Sequence, residues 1–150
     1  MGDNATKALV DGLNGLLADH LALYLKTKNF HWHVKGRDFR DLHLLFDEQA
    51  AEIFGNVDVI AERVRKIKGD TLTSIGSVAA KTKVADEDDT SLDAMVMVEK
   101  LRDDNAALVA SLKELKDLAG DAGDNATDGL IDDWTDQAEQ RVWFLSSILG

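Results

Sequence analysis

Residues 41–68 read DLHLLFDEQAAEIFGNVDVIAERVRKIK, and this stretch decides the fold class. Its apolar residues recur at the period of an amphipathic α-helix, and it contains no proline. We expect a helix that begins near Asp41 and ends near Lys68, with Gly55 as its internal glycine. A helix of this length with one apolar face must pack against other helices to bury that face.

The same helix carries two pairs of side chains that bind transition metals. His43 and Asp47 lie four positions apart, so they share one face of the helix. Asp58 and Glu62 repeat that spacing, on roughly the same side. At a rise of ~1.5 Å per residue, however, Asp47 and Asp58 are about 16 Å apart. Because metal–ligand bonds are ~2.0–2.2 Å long, one ion cannot reach both pairs of a single helix.

A two-fold, antiparallel pairing of this helix with its own copy resolves the mismatch. The 43/47 end of one chain would then face the 58/62 end of the other, which creates two equal sites. Imidazole and carboxylate together suit iron, zinc or manganese better than calcium or magnesium. A solvated polar face is the alternative interpretation of the same spacing. The candidate ligands are His31, His43, Asp47, Asp58 and Glu62.

Helical periodicity continues on both sides of this stretch. Further long helices are expected over about 4–33, about 91–118 and about 125–149, and a short helix is expected over 74–81. No segment shows the alternation of a β-strand. The sequence therefore predicts an all-α protein, a four-helix bundle of two hairpins with a short helix in the connection between the second and third long helices. We expect residues 1–150 to form one domain.

Composition excludes several classes of function. The chain has no cysteine, which rules out a disulfide framework and a thiolate metal site and agrees with a reducing cytoplasm. Neither a secretory signal nor an apolar stretch of ~18 residues is present, so export and membrane spanning are not expected. The net charge of −11 repels nucleic-acid phosphates, and no lysine-rich tail offsets it.

Three motifs in the first half of the chain resemble the Dps family, the ferritin-like mini-ferritins known as DNA-binding proteins from starved cells. They are NFHWHVKG at 29–36, LHLLFDE at 42–48 and VDVIAER at 57–63. The resemblance implies a ferritin-like four-helix bundle assembled into a hollow homododecamer. It also implies ferroxidase sites at the two-fold dimer interfaces, and the two-chain pairing proposed from the helix spacing agrees with that arrangement.

The resemblance further implies a reaction and a role for each ligand. Family members are oxidoreductases of metal ions, which oxidise Fe(II), prefer hydrogen peroxide, and store ferric iron inside the shell against oxidative stress. By resemblance, His31, His43 and Asp47 come from one subunit and the other two ligands from its mate. Glu62 is the expected bridging carboxylate between two irons. Zinc binds the same ligand types, so it is expected to compete with iron.

Some residues near these motifs have two interpretations. By resemblance, Trp32 donates a hydrogen bond beside the site or supplies an electron, and the alternative is packing in the core or in an interface. His20 is interpreted as a core or interface histidine, and His33 points to another face of the helix.

An acidic stripe begins the last helix, where Asp124, Asp128 and Asp132 recur every fourth position. Around a three-fold axis such a stripe would form a pore that concentrates cations. The alternative is a solvated helix start whose aspartates favour the helix dipole.

Two other functions compete with the iron-storing one. A nucleoid-associated DNA-binding protein with little iron chemistry is the first alternative, and the acidic charge and missing lysine-rich tail argue against it. A zinc-binding structural shell is the second, because His and carboxylate also suit zinc.

The loop after Gly36 departs from the common family pattern. Arg37 stands where many members have proline, which changes the loop but removes no ligand.

Overall fold

Two helical hairpins form the protein, in a computed structural model that describes residues 2–150. The helices are α1 (Gly2–His33), α2 (Phe39–Gly55), α3 (Val57–Lys66), α4 (Ile75–Lys81), α5 (Ala94–Asp121) and α6 (Asn125–Leu149). α1 packs against α2 and α3, α5 packs against α6, and α1 also contacts α5. No strand occurs within the described range. The predicted all-α four-helix bundle is confirmed, with α4 as the short helix in the connection.

The apolar stripes of the long helices meet in one core. Burying an aliphatic or aromatic side chain of this size contributes about 1.5–3 kcal/mol, which is why the stripes decide how the helices pack. The largest fully buried side chains include Leu9, Leu13, Phe30, Phe46, Ile53, Ile60, Leu101, Leu112, Ile131 and Trp134. Three apolar residues of the long helices are exposed in the protomer and do not join this core, namely Leu25, Met95 and Val96.

The helix expected over 41–68 is interrupted at Asn56. The Asn56 N–H donates to the Ile53 carbonyl at 3.2 Å, one residue closer than an α-helix requires, and the ladder resumes where Ile60 N–H donates to Asn56 O. Gly55 weakens the helix at this point because it has no Cβ. The buried Asn56 side chain also donates to Gln137 Oε1 at 2.7 Å, which ties the break to α6. The predicted single helix is therefore two, α2 and α3.

Helix starts follow local capping. The Ser74 side chain accepts from the Ser77 N–H and forms a capping box for α4, within the range 74–81 where a short helix was expected. α5 begins at Ala94, a few residues later than the start expected near residue 91. The preceding segment is held along α1, where Asp19 accepts from the Lys83 N–H at 2.8 Å. Nearer the helix, the Ser91 N–H donates to Asp89 Oδ1 at 2.8 Å and Asp93 is the extended N-cap, so α5 begins after Asp93.

A buried polar cluster links the bundle's long helices. Arg141 on α6 is 2 % exposed, and its Nε donates to Asn105 Oδ1 at 2.8 Å while Nη1 donates to Glu52 Oε1 at 2.6 Å. His20 on α1 is also buried, and burial, with the nearby Arg141 charge, lowers its pKa to about 4. The bundle therefore keeps one guanidinium and one neutral imidazole in its interior.

None of the helices described over residues 2–150 has both the length and the apolar character needed to cross a membrane.

Candidate metal centre

Two histidines face each other across the short connection between α1 and α2. His31 lies in the last turn of α1 and His43 in the first turns of α2, and their rings stack with centroids 3.9 Å apart and planes inclined by 11°. The short connection between the helices reverses the chain at Gly36, whose φ of +109° is open to glycine. Phe39 then donates to the Gly36 carbonyl and starts α2. This turn brings the two imidazoles together.

The two histidines hold each other's orientation through the backbone. His31 Nδ1 lies 2.6 Å from the His43 carbonyl oxygen, and His43 Nδ1 lies 2.7 Å from the His31 carbonyl oxygen. Because a carbonyl can only accept, each Nδ1 carries the proton. In a neutral imidazole that leaves Nε2 with a free lone pair, the state required of a metal ligand. Metal-binding histidines need such acceptors, and the acceptors here are these two carbonyls.

Asp47 joins the histidine pair from the next turn of α2. Its Oδ1 lies 3.8 Å from His31 Nε2, and 2.7 Å from Lys28 Nζ on α1. The hydrogen bond from Lys28 holds the pKa of Asp47 below its usual value, so the group is a carboxylate at neutral pH. Lys28 was not among the residues singled out in the sequence. The available signal was its position three residues before His31, which puts both on one helix face.

The remaining two candidate ligands lie elsewhere on the protomer. Asp58 and Glu62 are exposed on α3, beyond the break at Asn56. The rise of the helix puts Asp58 about 16 Å along from Asp47. Across the described part of the chain, no group of three or more His, Cys, Asp and Glu side chains is arranged to hold a metal ion. One protomer thus brings His31, His43 and Asp47 near one another and leaves the other two apart.

Large apolar side chains are exposed on the three helices that carry these residues. Trp32 is 58 % exposed, so it does not pack in the protomer core, and Lys28 Nζ lies 5.9 Å from the centroid of its ring. Leu25 and Phe54 are also more than half exposed. Exposed apolar surface of this kind is typical of a protein–protein interface.

The aspartates at the start of α6 are already paired with cations or helix groups. Asp124 is the N-cap and accepts from the Thr127 N–H at 3.0 Å, with Arg63 3.6 Å away. Burial alone would raise the pKa of Asp124, but the hydrogen bonds from Thr127 outweigh it and hold the pKa below its usual value. Asp128 and Asp132 both contact the ammonium of Lys116.

The other two histidines are engaged away from the pair. His20 is buried and its Nδ1 lies 3.0 Å from the Leu16 carbonyl, in agreement with the core interpretation. His33 Nδ1 lies 2.9 Å from the Asn29 carbonyl and 2.7 Å from its side-chain oxygen. Of the four histidines in the chain, only His31 and His43 stack on each other within the described residues.

Comparison with known proteins gives consistent matches over nearly the whole chain. The ferritin-like domain model matches residues 10–150. The DNA protection during starvation protein of Brevibacillus brevis is 34 % identical over 137 residues, which cover 91 % of each chain. The structure of Dps from Thermosynechococcus elongatus superposes with a TM-score of 0.96 at 26 % identity, over 99 % of this chain and 94 % of that one.

For one further structural relative, the class of metal chemistry is known by name. The Dps protein of Vibrio cholerae O1 is described as a member of a broad superfamily of ferritin-like diiron-carboxylate proteins. It superposes with a TM-score of 0.92 at 27 % identity, over 98 % of this chain and 92 % of that one.

Proposed function

Since this chain belongs to the Dps family of ferritin-like proteins, we propose that it oxidises Fe(II) and stores the ferric product inside a hollow homododecamer. The diiron-carboxylate description of the Vibrio relative and the DNA-protection names of other relatives support this role. The observation that carries the proposal is the pair formed by His31 and His43, because their reciprocal hydrogen bonds leave both Nε2 lone pairs free beside an ionised carboxylate.

Each site would be shared between two subunits. His31, His43 and Asp47 lie near one another in one protomer but do not form a three-ligand group, and the exposed Asp58 and Glu62 lie too far along the helix to reach the same ion. A two-fold mate would supply those two carboxylates, with the exposed apolar side chains of α1 and α2 covered by the same contact. A folded monomer would therefore have little ferroxidase activity.

The donor set matches the reaction. Imidazole binds borderline ions such as Fe(II), and carboxylates stabilise the ferric product by their charge. Asp47 and Asp58 would hold the two ends of the site, with Glu62 between two irons as the bridging carboxylate. Two Fe(II) ions would each give one electron to one hydrogen peroxide molecule, which takes up two protons and leaves as two water molecules while both ions become Fe(III). Removing Fe(II) and peroxide together limits hydroxyl-radical formation. Zinc would compete for the same donors.

Iron would enter the shell through a three-fold pore. Asp124, Asp128 and Asp132 would line this pore, and their pairing with Arg63 and Lys116 would set its charge.

Trp32, exposed next to His31, would lie in the two-fold interface beside the site. The net charge of −11 disfavours direct DNA binding, so protection would come from iron chemistry in the cytoplasm.

Subunit mixing tests the shared site. One variant carries His31→Ala and His43→Ala, and the other carries Asp58→Ala and Glu62→Ala. Each variant alone should oxidise Fe(II) with peroxide far more slowly than the parent. Random reassembly should restore about a quarter of the sites, because half the dimers are mixed and each mixed dimer regains one of its two sites.

A control and a contrary outcome complete the experiment. His33→Ala subunits, assembled and mixed in the same way, should keep the parent rate. No recovery in the mixed oligomers would refute the two-subunit site, whereas parent-like oxidation by either variant alone would refute the ligand assignment. Retardation of plasmid DNA by micromolar protein at low salt would favour the DNA-binding alternative.

A further inference from the structure

The side chain of Lys28 lies at the position where the histidine pair and Asp47 converge. Its Nζ is 2.7 Å from Asp47 Oδ1, the same oxygen that lies 3.8 Å from His31 Nε2. Lys28 is three residues before His31 on α1, so the two side chains share one helix face. One carboxylate oxygen is thus shared between a fixed cation and a candidate metal ligand.

We propose that Lys28 is a cationic latch, which competes with a divalent metal ion for Asp47 and lowers the affinity of the empty site. This inference rests on the proposed function, since it assumes that Asp47 is a metal ligand. A metal bound to His31 Nε2 and Asp47 Oδ1 would lie beside the ammonium, and like charges at that distance repel. A metal ion at Oδ1 would therefore have to displace the ammonium from that oxygen, and this lowers the net free energy of binding.

A second partner for the ammonium, the Trp32 ring, lies close to it. Lys28 Nζ lies 5.9 Å from the centroid of the Trp32 ring, within the ~6 Å range of a cation–π contact. Trp32 lies four residues after Lys28, on the same face of α1. A movement of the ammonium toward the ring would keep Lys28 partnered while it frees Asp47, and it needs no change in the backbone.

The effect of the latch should be moderate. In the single protomer the Asp47 side chain is 51 % exposed and that of Lys28 is 21 % exposed, so the pair is only partly desolvated before a second subunit covers it. Loss of the competing contact and of the adjacent positive charge should tighten divalent-metal binding by about 3- to 10-fold. The latch would thus set the Fe(II) concentration at which the site fills, and it would leave the metal's other donors in place.

Cobalt binding to the assembled protein tests the latch without iron oxidation. Co(II) is titrated under anaerobic conditions and followed by its visible absorption, in the parent and in Lys28→Met, Lys28→Arg and Lys113→Met. Lys28→Met should bind Co(II) about 3- to 10-fold tighter than the parent. Lys28→Arg keeps the cation and should bind like the parent. Lys113→Met removes an exposed charge from α5 and should also match it.

The outcomes separate the latch from the site itself. Equal Co(II) affinity in the parent and Lys28→Met would overturn the latch, and weaker binding by Lys28→Met would show that Lys28 holds Asp47 in place for the metal. The parent signal must also disappear in His31→Ala. A parent protein with no such His31-dependent signal would refute the proposed metal site, and the latch with it.

Discussion

The pH dependence of stability should depend on His20, the buried histidine of α1. Its side chain is 1 % exposed, and its Nδ1 lies 3.0 Å from the Leu16 carbonyl. Burial lowers its pKa from 6.5 to about 4, with the nearby Arg141 charge acting in the same direction. The native protein therefore holds His20 neutral at a pH where the unfolded chain has already protonated it.

The direction and size of the effect follow from proton linkage. Between pH 6.5 and about 4 the unfolded state binds more protons, so the free energy of unfolding falls as the pH falls. A pKa difference of this size corresponds to about 2 kcal/mol lost between pH 7 and pH 5, and about 3 kcal/mol by pH 4. The loss is complete only below the native pKa.

The assay compares the parent with His20→Gln, whose amide can still donate to the Leu16 carbonyl but does not titrate. Urea unfolding at several pH values from 7 to 5, at one protein concentration, gives the free energy of unfolding for each protein. The parent should lose about 2 kcal/mol more than the variant over this range.

Other titrating groups do not imitate this difference. Carboxylates with lowered pKa values, such as Asp47 and Asp124, contribute stability that is present above their unfolded pKa and lost as the pH falls through the folded pKa. They do so equally in both proteins, and their effect cancels in the comparison. Parallel pH profiles for the parent and His20→Gln would refute the reasoning.

Two stability predictions concern buried or capping polar groups. Arg141→Met should lower the free energy of unfolding by about 2–4 kcal/mol, because it leaves Asn105 Oδ1 buried without a donor, while the 35 % exposed Glu52 side chain can rehydrate. Urea unfolding measures this change, and an unchanged midpoint would contradict the prediction. Asp124→Ala should lower the free energy of unfolding by about 1–2 kcal/mol, since α6 loses its N-cap and the buried Thr127 hydroxyl loses its acceptor. Hydrogen exchange at the Thr127 amide should become faster, and full protection of that amide would contradict the prediction.

Much of the fold could be predicted because helix formation is local. The spacing of apolar residues predicted the long helices, and the short helix α4 lies within the predicted range 74–81. The break at Asn56 was missed, because a tertiary hydrogen bond to Gln137 helps to produce it. The start of α5 was placed too early, because the Ser91 N–H is bonded to the Asp89 side chain and Asp93 is the extended N-cap.

For the candidate site, the sequence by itself determined the types of candidate ligand and predicted that a single chain cannot bring all of them to one ion. Within the predicted continuous helix, a constant rise per residue separates Asp47 from Asp58 by about 16 Å, so the sequence predicts that the five candidate ligands meet only between two chains.

Only the tertiary structure decided how the site is held. The reciprocal hydrogen bonds that fix His31 and His43, and the ammonium of Lys28 on Asp47, join different helices. Such contacts depend on how α1 and α2 pack after the turn at Gly36, and no local spacing encodes the distance between atoms on two helices. Helical period and rise are properties of the backbone, whereas a contact between helices is a property of the packed core.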